Sequence, residues 1–201
     1  MLDTERPILP LWNKVAKSFG LEIPEEMVLR TIGINGKSMR ELFSQTYGPG
    51  FPYDNIQKEL NVFITKKFEN GINHKPGLLV LLDHLARLGI PMAVATSTRR
   101  ERALWKLGKA DILERFAAVV CGDEISNGKP APDIFLLAAQ RLGKETSDCV
   151  GFEDSPAGLQ GLHAADIRSV FVKDLVEPSP QILATVWRRC GDLAEAAELF
   201  G

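Results

Sequence analysis

Apolar residues recur at helical spacing through the first third of the chain. Ile8, Leu11, Trp12, Val15 and Phe19 form one stripe, which Gly20 ends. A second helix is predicted over Glu25 to Arg30, after Pro24, and a third from about Gly36 to Tyr47. A fourth, opened by Asp54 as N-cap, puts Ile56, Leu60, Phe63, Ile64 and Phe68 on one face. No strand-like alternation interrupts them, so residues 1–74 read as a helical bundle. Near His74-Lys75-Pro76-Gly77 the pattern changes. Helices are predicted over Leu78 to Leu88, Arg100 to Phe116, Pro132 to Leu142 and Ser155 to Ala165. Short apolar runs of strand length alternate with them: Pro91 to Thr96, Ala117 to Cys121, Cys149 to Phe152 and Ser169 to Val172. Helices near Gln181 to Arg189 and Asp192 to Phe200 follow. Such alternation predicts an α/β fold over residues 75–201, a parallel sheet covered on both faces. Right-handed crossovers place the C-terminal ends of the strands on one edge, where open α/β sheets carry their binding crevice.

Composition narrows the function classes. Among 201 residues, 24 Lys and Arg stand against 26 Asp and Glu, a formal net charge of −2. That balance argues against a partner that is a polyanion or an anionic membrane surface. No apolar run approaches the roughly 18 residues of a spanning helix. The start, Met1-Leu2-Asp3-Thr4-Glu5, lacks a basic-then-apolar leader, so a soluble cytoplasmic protein is expected. Cys121, Cys149 and Cys190 are odd in number and widely spaced, which reads as packing rather than zinc or disulfide chemistry.

Polar residues at the strand ends carry the candidate chemistry. Thr96-Ser97-Thr98 brings three hydroxyls to a helix start, suited to a phosphate, or to plain capping. Lys129, in Gly128-Lys129-Pro130-Ala131-Pro132-Asp133, could neutralise phosphoryl charge, or be an ordinary solvated lysine. Glu153-Asp154 follows an apolar strand directly and precedes Ser155-Pro156. Two adjacent acids there invite a hard cation such as Mg²⁺, with helix capping as the alternative. Converging on one crevice, these groups make an inventory for phosphoryl chemistry without an obvious nucleophile. Gly33-Ile34-Asn35-Gly36-Lys37-Ser38 ends like a phosphate-binding P-loop, but Thr31 stands where its first glycine belongs and no strand precedes it. His74, His84 and His163 read as hinge or helix residues rather than ligands.

Ala95-Thr96-Ser97, Gly128 to Phe135 and Gly151-Phe152-Glu153-Asp154-Ser155-Pro156-Ala157-Gly158 resemble three motifs of the haloacid dehalogenase-like hydrolases. They look most like the branch with a helical cap, which includes beta-phosphoglucomutase and sugar-phosphate phosphatases. The resemblance implies a Rossmann-like core over residues 75–201 and a cap over residues 1–74. It also implies transfer of a phosphoryl group to an Asp, then to water or, in a mutase, to a second hydroxyl. Thr96 and Lys129 would be the catalytic and phosphate-binding residues, joined by Ser97 and Thr98. Glu153 and Asp154 would hold Mg²⁺, and Lys37 and Ser38 of the cap would close over the substrate. The expected partner is a small phosphorylated metabolite, for a monomer that binds neither nucleic acid nor membrane. Family members carry Asp-x-Asp-Gly at the end of a central first strand, followed by a stretch resembling Leu2-Asp3-Thr4-Glu5. That strand and both aspartates are therefore expected to be missing here, Asp3 being no substitute, and the 201 residues to be inactive. An enzyme starting upstream of Met1 is the favoured reading, over a non-catalytic phosphate or metal binder and an interaction protein. Without the strand, the two inner strands must pair directly or leave backbone unpaired.

Overall fold

The computed structural model describes residues 1–201. The stripe that begins at Ile8 folds as α1 (Glu5–Ser18), and Gly20, at φ 69°, turns the chain away. Then come α2 (Glu25–Leu29), α3 (Gly36–Tyr47) and α4 (Tyr53–Lys67). α1 packs against α4, and Phe43 of α3 is fully buried, stacked on Trp12 at 5.1 Å and on Phe51 at 5.0 Å. Each such side chain withdrawn from water stabilises the bundle by about 1.5–3 kcal/mol. Asp54 is not the N-cap that the sequence suggests. Pro52 holds that position, and Asp54 lies in the first turn of α4, paired with Arg40 of α3. An acid there still benefits from the positive end of the helix dipole.

The second part runs α5 (Leu78–Arg87), β1 (Ala93–Thr96), α6 (Arg100–Lys109), β2 (Ala118–Cys121), α7 (Asp133–Leu142), β3 (Val150–Glu153), α8 (Pro156–Ala164), β4 (Arg168–Val172), α9 (Pro180–Leu183), β5 (Arg188–Cys190) and α10 (Leu193–Ala197). Two sequence expectations need correction. The helix predicted to reach Phe116 ends at Lys109, because Asp111 at φ 54° swings the chain and sends Ile112 into the core. The helix predicted over Gln181 to Arg189 is only four residues long and is followed by β5, whose Cys190 pairs with Val172.

Every strand pair is parallel, as expected, but the sheet is not continuous. β1 pairs with β2, β3 with β4 and β4 with β5, and no ladder joins β1 to β3. Of the two outcomes foreseen for the inner strands, the chain adopts the one that leaves backbone unpaired. A cavity of about 780 Å³ lies between them, lined by residues 93–96 on one side and 150–154 on the other.

Two apolar clusters cover the faces. The larger joins the first four helices to α5 and α6 and includes Val94, Val119 and Cys121. The smaller lies under α7 and α8, around Val120, Ile134, Phe135 and Leu162. At the junction of the two parts Leu2 bridges to His74, and the Lys75 N–H donates to the Met1 carbonyl at 2.8 Å. Entry and exit of the helical part therefore run side by side.

Candidate functional site

The strand ends are brought together by one buried lysine. Lys129 reaches in from the loop before α7, and only 6% of its side chain remains exposed. Its Nζ lies 2.7 Å from Glu153 Oε2 and 3.4 Å from the Ala95 carbonyl, and it sits over the Phe135 ring at 4.8 Å. The C-terminal ends of β1 and β3 are thus held to one cation, across the gap in the sheet. The surface-lysine alternative is excluded by this burial.

Glu153 is committed on both oxygens. Oε2 takes Lys129, and Oε1 accepts from the backbone N–H groups of Asp154 and Ser155 at 3.1 Å and from Ser155 Oγ at 2.8 Å. Burial pushes its carboxyl up, but the Lys129 charge and these hydrogen bonds outweigh that and hold it below the ordinary carboxylate range. Ser155 also caps α8, accepting from the Gly158 N–H at 3.0 Å, with Pro156 in the first turn. Glycine is required at 158, since a Cβ there would lie 2.0 Å from the Glu153 carboxyl carbon.

Asp154 has no such partners. Its carboxylate accepts no hydrogen bond and joins no ion pair, whereas Asp123 takes the Arg100 N–H at 2.9 Å and Glu124 is bound by Arg141 at 2.6 Å. Burial first, then the negative charge of Glu153, pushes the Asp154 carboxyl well above its ordinary value. A carboxylate in that condition fits a divalent cation. The other ligands would have to come from elsewhere, because no three His, Cys, Asp or Glu side chains cluster closely enough to hold a metal by themselves. Of the acid pair expected to hold a metal, Glu153 is tied to Lys129 and Asp154 is not.

The hydroxyl cluster divides too. Thr96 Oγ1 accepts from the Thr98 N–H at 3.2 Å, fixing the turn after β1, and the loop lies against Gly122, where a Cβ would meet the Ser97 carbonyl at 2.3 Å. Ser97 Oγ instead donates to the Gly33 carbonyl at 2.9 Å, tying the strand edge to the helical part. Gly33, at φ 85°, also sits against Ser155, where a Cβ would lie 2.3 Å from Oγ. Asn35 caps α3 by accepting from the Ser38 N–H, and its amide fills the space beside Gly128. Lys37 and Ser38 begin α3 immediately beyond this contact, Lys37 being exposed. Gly33 and Asn35 are the site residues that sequence reasoning missed. Their glycine-rich stretch was the available signal, and it drew notice only as an imperfect P-loop.

Comparison with known proteins agrees with the geometry. Residues 1–172 match the family model described as haloacid dehalogenase-like hydrolase. A phosphorylated carbohydrates phosphatase from Thermotoga maritima is 28% identical over 171 residues, spanning 85% of this chain and 79% of that protein. A probable pseudouridine-5'-phosphatase from Drosophila melanogaster is 30% identical over 180 residues, spanning 87% and 78%. In fold, the chain is similar to the crystal structure of beta-phosphoglucomutase from Clostridium difficile, with a TM-score of 0.82 at 21% identity, covering 96% of this chain and 87% of that one. Matched over most of its length, and with its strand ends gathered round Lys129, the chain belongs to the haloacid dehalogenase-like hydrolases.

Proposed function

We infer that this chain is a Mg²⁺-dependent phosphatase-type hydrolase acting on a small phosphorylated metabolite, such as a sugar phosphate. The observation that carries the reading is the buried Lys129, fixed between Ala95 and Glu153 at the C-terminal ends of β1 and β3. A preorganised cation there meets phosphoryl oxygens without the reorganisation that a mobile surface lysine would need. The Thr96 hydroxyl adds a donor to the same oxygens. Bound Mg²⁺ would neutralise charge on the transferring group, with Asp154 as its carboxylate ligand and water and substrate oxygens completing the set. Glu153 keeps Lys129 in place. Residues 1–74 would act as the cap, with Gly33 and Asn35 seating it on the core and Lys37 and Ser38 near the leaving group. Names of relatives as phosphatases of phosphorylated carbohydrates and of pseudouridine 5'-phosphate support the substrate class.

Transfer through an aspartyl-phosphate needs a free carboxylate facing the phosphorus. At the ends of β1, β2 and β3, Asp123, Glu124 and Glu153 are all engaged, and Asp154 is assigned to the cation. The 201 residues alone are therefore expected to bind phosphorylated ligands without turning them over. Calorimetric titration of a panel of sugar phosphates, with and without Mg²⁺, tests the reading. Binding that needs Mg²⁺ and is lost in Lys129→Met supports it, and no binding by any member of the panel overturns it. Metal-dependent hydrolysis of p-nitrophenyl phosphate by these 201 residues, abolished by Lys129→Met, would overturn the nucleophile argument alone.

A further inference from the structure

β1 and β2 run parallel, with Thr96 opposite Cys121 as their last paired residues, so the chain leaves the two strands side by side. The exits are Ser97-Thr98-Arg99 and Gly122-Asp123, and they touch closely. A Cβ at position 122 would lie 2.3 Å from the Ser97 carbonyl oxygen, and the Gly122 N–H donates to the Thr98 carbonyl at 3.0 Å. One residue further on, Asp123 Oδ1 accepts from the N–H of Arg100, the first residue of α6, at 2.9 Å. That bond supplies what the local sequence lacks. Arg99 holds the N-cap position of α6 and makes no side-chain cap bond, because a guanidinium has no acceptor for the free N–H groups of a first turn. Asp123 brings the acceptor from a different loop. Its charge is met there by the positive end of the α6 dipole and by Arg99, whose Nε lies 3.9 Å from Oδ2.

The consequence falls on Thr96. Its Oγ1 accepts from the Thr98 N–H at 3.2 Å, and it donates to no group of the protein. A hydroxyl fixed as acceptor on one side keeps its proton for a ligand on the other, which is what donation to a phosphoryl oxygen requires. The arrangement lasts only while the Thr98 N–H stays aimed at Oγ1. The turn is gripped on both sides of that amide, by Gly122 on the Thr98 carbonyl and by Asp123 on the Arg100 N–H. Glycine is required at 122 for the first grip, and the oxygen of residue 123 makes the second.

We propose that Asp123 is a positioning residue for phosphate binding: capping α6 from the loop after β2, it holds residues 97–99 in the turn that leaves the Thr96 hydroxyl free to donate. This rests on the reading of Thr96 as a phosphate-binding residue. Asp123 itself touches no ligand, and its charge taken alone would repel an anion nearby. The useful part of the side chain is therefore its acceptor oxygen and not its charge, and the two can be separated by substitution.

The test is calorimetric titration of inorganic phosphate, with Mg²⁺ present, into the 201-residue protein and into Asp123→Asn, Asp123→Ala, Thr96→Val and the Thr96→Val, Asp123→Ala pair. The Asp123 side chain is 34% exposed, so these variants leave the core intact, and thermal unfolding of each checks that it is folded. Asparagine keeps an acceptor oxygen of the same reach and drops the charge, so Asp123→Asn should bind phosphate within about twofold of the parent, or more tightly. Alanine keeps neither, and Asp123→Ala should raise the dissociation constant about five- to tenfold, as the ordered turn becomes a smaller part of the population. In the Thr96→Val background the same change should alter it by less than about twofold, since the hydroxyl through which Asp123 acts is gone. A residue that only caps α6 would lower the thermal midpoint in Asp123→Ala and leave phosphate binding unchanged, and that result would overturn the proposal. So would equal losses in Asp123→Asn and Asp123→Ala, or a full effect of Asp123→Ala without the Thr96 hydroxyl. Failure of the parent to bind phosphate would overturn the proposal and the reading of Thr96 together, whereas parent binding matched by Asp123→Ala would overturn the proposal alone.

Discussion

Lys129 and Glu153 form a buried ion pair between the loop before α7 and the end of β3, and its energetics follow from its partners. Removing the cation in Lys129→Met leaves a carboxylate that is 9% exposed facing the apolar gap. Breaking a buried pair from one side costs about 3–5 kcal/mol. Glu153 retains three donors on its other oxygen, so the lower end, about 3 kcal/mol, is expected. Glu153→Gln strands the ammonium beside the Ala95 carbonyl and the Phe135 ring and should cost about 2–3 kcal/mol. The double variant places two neutral side chains of similar volume together and should lie within about 1 kcal/mol of the parent. The cycle thus predicts a coupling of about 4 kcal/mol, well beyond the few tenths at which independent sites add. Urea titration followed by tryptophan fluorescence reads it. With m near 2–3 kcal/mol/M for a chain of this size, each single variant shifts the midpoint down by about 1 M. Additive single effects, or single effects below about 0.5 kcal/mol, would refute the claim that the charge pair organises the site.

Gly33→Ala forces a side chain into a backbone at φ 85° and a Cβ 2.3 Å from Ser155 Oγ, and should lower stability by about 1–3 kcal/mol, seen as a fall in the thermal midpoint. Ser155→Ala removes the cap of α8 and one donor to Glu153, and chemical denaturation should show a loss of about 1–2 kcal/mol. Glu124 is drawn down to about 2, above all by the Arg141 hydrogen bond, against burial. A depressed carboxyl stabilises the folded chain above its unfolded value near 4.5, and the benefit is lost as pH falls towards 2. Discounted for solvent screening, Glu124→Gln should therefore cost about 1 kcal/mol at pH 7 and progressively less by pH 3, measured by urea midpoints along that range. Burial, then the charge of Glu124, pushes the Cys121 thiol up to about 11, so Ellman's reagent at pH 7.5 should leave it unmodified until the protein is unfolded.

Much of this architecture is legible in the amino acids, for reasons that also show where legibility ends. Ile56, Leu60 and Ile64 announce α4 because a helix repeats its buried face every three to four residues, and all three are buried. The three edges stand out because each short apolar run gives way abruptly to polar residues. β5 does not, because three residues with two exposed arginines contain no apolar run to notice. The end of α6 is equally silent, as nothing local marks Asp111 for a left-handed turn. The division of labour between Glu153 and Asp154 is invisible for a deeper reason. Adjacent in sequence, they differ only because Lys129, 24 residues earlier, reaches one and not the other.

The seam where the two parts of the chain meet is fastened from far away. Gly77 lies so close to α10 that a Cβ would sit 2.0 Å from the Ala194 nitrogen, and the Leu193 N–H donates to the Pro76 carbonyl at 3.2 Å. His84 of α5 is hydrogen-bonded to the carbonyl of Phe200. Residues beyond 172 fall outside the stretch matched by the family pattern, yet they fasten the chain just after the helical part ends. Leu193 and Phe200 also line the cavity between β1 and β3, so wear at the tail of the molecule would be felt at the seam and in the pocket together.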